Sequence, residues 1–248
     1  MKRLPVWPWK LFHAGSMPRS VQVEVWVASD IVSNISSTHP ALSNDVLVNP
    51  ANKLLSGTAY PYFPVGGPLP KGELGRHSVW GGMDAGDAMC YPAQCVDGRV
   101  HMEGGSELKQ LLRDRTCPVG EAVVTRAVGD LSACGYKYII HTVPPLASDA
   151  FQTPMPNPMP NIDSLLTSCY LSSLALACTL DIHTLASPLI GAGTAGFSTQ
   201  RCAAALREAL HPPRLEPTNP NPITLRLVLQ RTEDAELVSE LLFGKEER

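Results

Sequence analysis

The sequence predicts an α/β fold, a three-layer α/β/α sandwich around a mixed six-stranded sheet. Three observations predict it. Short β-rich runs alternate with helix-patterned segments along the 248 residues, an order that stacks helices on the faces of a sheet. A short apolar strand, residues 187–190, empties into Gly191-Ala192-Gly193-Thr194-Ala195-Gly196-Phe197, and a helix-like stretch follows. Another run, Asp45-Val46-Leu47-Val48-Asn49-Pro50-Ala51-Asn52, places two asparagines at the C-terminal end of a strand, the edge at which open α/β sheets bind ligands.

Each element has its own warrant. Residues 21–27 alternate Val with Gln, Glu and Trp, the period of a half-buried strand. Residues 45–49, 122–126, 137–143, 185–190 and 224–229 are short β-branched or apolar runs and complete six strands. Ser106 is a good N-cap for a helix over 106–113. Leu166, Cys169, Tyr170, Leu174 and Ala177 repeat at helical spacing within 164–180, and residues 198–210 and 233–242 follow the last two strands as helices. Residues 59–72, 144–161 and 211–222 are rich in Pro, Gly or Asn and are loops. None is long enough to separate domains. One domain therefore covers residues 21–248, with an N-terminal arm over 1–20 that packs Trp7 and Trp9.

Composition narrows the function. Hydrophobic content of 44% with 17% charged residues is ordinary for a soluble globular core. A net charge of −3 with scattered Lys and Arg argues against a nucleic-acid partner. No apolar run approaches bilayer length, so no membrane association is expected. Seven cysteines without a CxxC pair fit reduced thiols in an intracellular compartment, cytoplasmic or nuclear. Lys2, Arg3, Lys10 and Arg19 precede the first acid, Glu24, which keeps organellar targeting open; Pro5, Pro8 and Pro18 break the amphipathic helix it would use.

The glycine loop carries the first chemical inference. Glycines let backbone N–H groups turn inward, and a helix N-terminus adds partial positive charge, so strand, glycine loop and helix form a phosphate cradle. The loop fits GxGxxG but follows the fifth strand and has no acid-terminated strand after it, contrary to a dinucleotide-binding Rossmann unit. Asn52 offers an amide suited to a ribose diol. Asn49 is either a ligand contact or a turn cap.

These segments resemble macrodomains, the ADP-ribose-binding modules. DVLVNPAN at 45–52 resembles their VNAAN motif, and Ser-Asp-Ile at 29–31 their Gly-Asp-Ile. Val96-Asp97-Gly98-Arg99-Val100-His101, with Gly105-Ser106-Glu107-Leu108, resembles VDGAIHxAAGPEL. Residues 117–125 resemble CxxGxAxxT, 138–143 YVIHTV, 166–174 LRSCYxxSL and 188–197 PxISTGVYGF. The matches run in family order from residue 21 to about 243. Two departures stand out. An insertion at about 58–95 precedes Asp97, and its Gly82-Met83-Asp84 is a rival match to the family's GGVD. The STG triplet is Gly191-Ala192-Gly193 here, and the following tyrosine is Ala195, which opens the distal-ribose side.

The resemblance implies roles. Asp30 accepts from the adenine amino group and Ile31 packs beside it. Asn49 and Asn52 hold the ligand. Gly191, Ala192, Gly193, Thr194, Ala195 and Gly196 hold the diphosphate, and Phe197 lines the wall. Asp97, with Asn52, is catalytic: the matching acid of hydrolytic macrodomains orients the attacking water. His101 and His141 match structural positions. The implied function is ADP-ribose binding with hydrolysis of ADP-ribosyl esters, on Asp or Glu side chains or in O-acetyl-ADP-ribose. The alternatives are a reader without turnover and an ADP-ribose 1″-phosphate phosphatase. The expected partner is ADP-ribose or an ADP-ribosylated protein. The insertion is expected to cover the ligand with Tyr60, Tyr62, Phe63 and Trp80. No cofactor or metal is expected, Cys90 and Cys95 being read as thiols, and the chain is expected to be a monomer.

Overall fold

The computed structural model describes residues 10–17, 21–33, 35–37, 39, 42–58, 94–147, 161–180, 182–210 and 223–244. Residues 59–93, which hold most of the insertion, its four aromatic residues, Asp84 and Cys90, lie outside them, as do Trp7 and Trp9.

The strands are β1 (Lys10–Met17), β2 (Val21–Val27), β3 (Val46–Pro50), β4 (Ala122–Arg126), β5 (Tyr138–Thr142), β6 (Thr184–Pro188) and β7 (Ile223–Leu229). They form one sheet in the order β1-β2-β7-β6-β3-β5-β4. The run from β2 to β5 is parallel, and both outer strands are antiparallel to their neighbours. All six expected strands form. A seventh comes from the stretch expected to be an arm: β1 pairs with β2 from Lys10↔Val27 to Met17↔Val21. Its sequence, KLFHAGSM, lacks β-branched residues and apolar alternation. Pairing with the edge of β2, not intrinsic propensity, makes it a strand.

The helices are α1 (Val96–Leu112), α2 (Asp130–Ala133), α3 (Ile162–Thr179), α4 (Thr199–Leu210) and α5 (Thr232–Phe243). α1 begins ten residues before the expected helix. It breaks at Gly105 (φ 58°, ψ −148°), so Ser106 does open a helical segment, the second of two. Glycines 98, 104 and 105 hide the first segment from a propensity reading. Tertiary contacts and a cap supply what propensity lacks: the Cys95 thiol accepts from the Gly98 N–H at 3.3 Å.

The sheet separates two hydrophobic layers, and strand periodicity assigns residues to them. Val46, Val48 and Ile140 face α3, α4 and α5, together with Leu166, Tyr170, Leu206 and Val238. Leu47 and Ile139 face the other way, onto Val100 and Leu108 of α1 and onto Ile31, Ile35 and Leu131. α3 corrects one expectation, for it is long and apolar enough by length and composition to cross a membrane. In this fold it is a core helix, with Leu166, Cys169, Tyr170, Leu174 and Ala177 buried. A helix packed between a sheet and a neighbouring helix has little need of polar residues.

Candidate functional site

Because β2, β7, β6, β3 and β5 are parallel, their C-terminal ends share one rim. A cleft of ≈ 450 Å³ opens there. Ala28, Ser29 and Ile31 line it after β2, Pro50 at the end of β3, Pro144 after β5, Pro188 at the end of β6, and Leu189 with residues 191–195 beyond it. Residues 94–97 close one side, and Val228 to Arg231 with Asp234 close another.

The glycine loop keeps its shape through local bonds. The Ile190 N–H donates to the buried Tyr170 hydroxyl at 2.9 Å, tying the loop entrance to α3. The Ala192 N–H returns to the Leu189 carbonyl, Gly196 to Gly193, and Phe197 to Gly191. Ser198 caps α4 by accepting from the Arg201 N–H at 3.3 Å. Gly191, Ala192, Gly193, Thr194 and Ala195 line the cleft. Gly196 and Phe197 stand behind that wall. Gly196 spends its N–H on closing the loop. Phe197 is in the core, with the Arg201 guanidinium 5.0 Å from its ring centroid.

Asp97 lies in the first turn of α1, is 5% exposed and lines the same cleft. Both its oxygens are held. Oδ1 accepts from Asn49 Nδ2 at 2.9 Å, and Oδ2 accepts from the Thr58 hydroxyl at 2.9 Å. His101 Nε2 is 3.7 Å from Oδ1. Burial lifts the Asp97 carboxyl above its ordinary range, against the opposing pull of His101 and the two hydrogen bonds. Burial also holds His101 below its usual value.

A buried polar chain runs behind Asp97. Asn49 Nδ2 is also 3.2 Å from His141 Nδ1, and His141 Nε2 is 2.9 Å from the Thr125 hydroxyl. Since the amide nitrogen of Asn49 can only donate, His141 Nδ1 accepts, and Nε2–H donates to Thr125. One helix and three strands thus converge on one carboxylate. Burial, then the nearby His101 and Arg115, pushes the His141 pKa down to about 3.

That depression has a sign. The unfolded chain protonates His141 below its ordinary value of 6.5 while the folded one does not. The stabilisation is complete above pH 6.5 and is lost as pH falls toward the folded value. Across that window each pH unit removes up to about 1.4 kcal/mol. Urea midpoints measured between pH 7 and 4 should fall less steeply for His141→Asn than for wild type. Parallel slopes would refute this origin of acid sensitivity.

Asn52 and Asp30 occupy other environments. The Asn52 amide oxygen accepts from Leu54 N, Ser56 N and the Ser56 hydroxyl, and its nitrogen donates to the Gly57 carbonyl at 3.1 Å. Its side chain shapes the 52–57 turn. Asp30 accepts from the Val32 N–H at 3.0 Å and the Ser33 hydroxyl at 2.7 Å, and pairs with Arg99 at 3.1 Å. Neither residue lines the cleft, whereas Ser29 and Ile31, the neighbours of Asp30, do. Among the described residues no group of three His, Cys, Asp or Glu side chains is placed to hold a metal ion. Sequence reasoning missed Thr58, Thr125 and Arg231. The last had a signal, an arginine two residues past the end of a strand that reaches the ligand-binding rim.

The macro domain family profile matches residues 83–206. A macro domain-containing protein of Caldanaerobacter subterraneus is 34% identical over 140 residues, covering 54% of this chain and 73% of that protein. An ADP-ribose glycohydrolase of Xenopus laevis is 33% identical over 138 residues, 54% of this chain but 29% of that enzyme. O-acetyl-ADP-ribose deacetylase 2 of Pantoea vagans is 40% identical over 114 residues, 44% of this chain and 60% of that protein. Among solved structures, the Oceanobacillus iheyensis macrodomain with ADP superposes with a TM-score of 0.59 at 19% identity, covering 94% of this chain and 95% of that one. The Trypanosoma brucei macrodomain with ADP-ribose gives 0.51 at 16% identity, over 88% and 68%. By sequence and by fold, this chain belongs to the macro domain family.

Proposed function

We propose that the cleft binds ADP-ribose and that the protein hydrolyses ADP-ribosyl esters, on Asp or Glu side chains or in O-acetyl-ADP-ribose. The observation that carries this reading is the placement of Asp97 in the same cleft as the glycine loop. The loop and the start of α4 supply a setting for a diphosphate. A carboxylate raised by burial is a better base near neutral pH than an ordinary one. Asn49 and Thr58 orient it. In the reaction a water attacks the ester, its proton passes to Asp97 and from there to the leaving oxygen as the ester bond breaks, and ADP-ribose and a free carboxylic acid leave. Relatives named as an ADP-ribose glycohydrolase and an O-acetyl-ADP-ribose deacetylase support the same chemistry.

A reader without turnover is the second reading, and Asn52 favours it. The 52–57 turn holds the Asn52 amide oxygen and one of its two N–H donors, and Asn52 does not line the cleft. Calorimetry and a turnover assay separate the two. ADP-ribose should bind in the micromolar range and raise the melting temperature by mass action, with NAD binding more weakly. The enzyme releases ADP-ribose from an ADP-ribosyl-glutamate peptide. Binding without release makes the protein a reader. Tight NAD binding with no ADP-ribose binding sinks both readings.

A further inference from the structure

Arg231 sits where local structure does not want it. It is the N-cap of α5 and makes no side-chain cap hydrogen bond. It cannot make one, because an N-cap needs an acceptor and a guanidinium has only donors. A cation at the positive end of a helix is also unfavourable, and Glu233 and Asp234 in the first turn offset it. What the helix receives from this arginine is an ion pair with Asp234 three residues on, not a cap.

The cleft gains as well. Arg231 lines it, and among the described lining residues it is the only Lys or Arg. The two lining carboxylates are Asp97 and Asp234. The guanidinium is held, not loose. Its Nε donates to Asp234 Oδ2 at 2.7 Å, and Asp234 Oδ1 accepts from the Thr199 hydroxyl at 2.9 Å. Thr199 opens α4, just beyond the glycine loop. The bond series therefore fastens Arg231 to the element that follows the loop. Asp234 engages only Nε, the side chain is 70% exposed, and the terminal nitrogens carry the remaining donors.

We propose that Arg231 is a ligand-binding residue whose guanidinium engages the anionic diphosphate oxygens of the nucleotide, with Asp234 as the residue that aims it. The glycine loop contributes backbone dipoles from β6, and Arg231 contributes the formal charge from β7. A planar, permanently charged fork suits phosphate oxygens. This inference rests on the ADP-ribose reading of the cleft.

The test compares adenosine, ADP and ADP-ribose by calorimetry on the full chain, in wild type, Arg231→Ala and Arg231→Lys. Melting curves confirm that the exposed substitutions leave the fold intact. Arg231→Ala should weaken ADP and ADP-ribose roughly three- to ten-fold, the size of a partly exposed charge-assisted contact, and flatten the salt dependence of binding. Lysine should restore part of the loss, and adenosine should bind all three proteins alike. An equal loss for adenosine would show that the guanidinium meets the base and would overturn the assignment, as would unchanged ADP-ribose affinity. If wild type binds no ADP-ribose, the functional reading falls on its own. Inorganic pyrophosphate then decides for Arg231: binding lost in Arg231→Ala supports the contact, and binding equal or absent in both overturns it.

Discussion

Asp97→Ala should lower the hydrolysis of an ADP-ribosyl ester by roughly 10²- to 10⁴-fold, the contribution of a positioned general base. ADP-ribose affinity should stay within a few-fold. That split marks a group used in the transition state and not in ground-state binding. The structure makes the experiment sharp. Asp97 contacts the scaffold through Asn49 and Thr58, so its removal leaves the glycine loop and the β7 rim as they are. The pH profile gives a second readout. Only the deprotonated carboxylate accepts a proton, so turnover is lost as pH falls through the Asp97 pKa, which burial sets above the ordinary carboxylate value of 3.8. Wild-type turnover in Asp97→Ala, with loss in Asp84→Ala, would transfer the role to the rival match at residues 82–84.

Gly191→Ala should destabilise the fold by about 2–5 kcal/mol, adding the left-handed backbone penalty to that of an overpacked core. Gly191 has φ +94°. A Cβ there would lie 2.9 Å from Leu166 Cδ1, 3.2 Å from Cys202 Sγ and 3.3 Å from Phe197 Cδ2. All three neighbours are buried, so none can retreat into solvent. Gly193 is the control from the same loop. Nothing lies within 4 Å of its Cβ position and its φ is not positive. Gly193→Ala should shift stability by less than about 0.5 kcal/mol, as surface substitutions do. Urea unfolding of both variants reads the contrast. Equal midpoints would mean that glycine is dispensable at the strand exit.

The strands were legible because β2 alternates at period two, the others are short β-branched or apolar runs, and Pro, Gly or Asn mark several of the loops between them. β1 was not, since its partner, not its own composition, makes it a strand. The first half of α1 was not, since glycines at 98, 104 and 105 mask a segment that packing and a cysteine cap hold in place. The placement of the glycine loop and Asp97 at the cleft was legible because their motifs, each weak alone, fell in a recognisable order. The environments of Asp30 and Asn52 were not. A short polar side chain bonds whatever the fold brings near it, and Arg99 and the 54–57 turn are set by three-dimensional contacts. The Thr125–His141–Asn49 chain needs the β4–β5–β3 register before its members can meet.

The N-terminal strand has one more consequence. β2 would otherwise be the outermost parallel strand, a seven-residue row of unsatisfied N–H and C=O groups on a valine-rich ribbon. β1 occupies that row, and its register shift between Leu11 and His13 interrupts the straight edge it presents in turn. Irregular edges resist the addition of a further chain. Removing residues 1–20 would bare this edge of β2 and should promote self-association, with the cleft itself untouched.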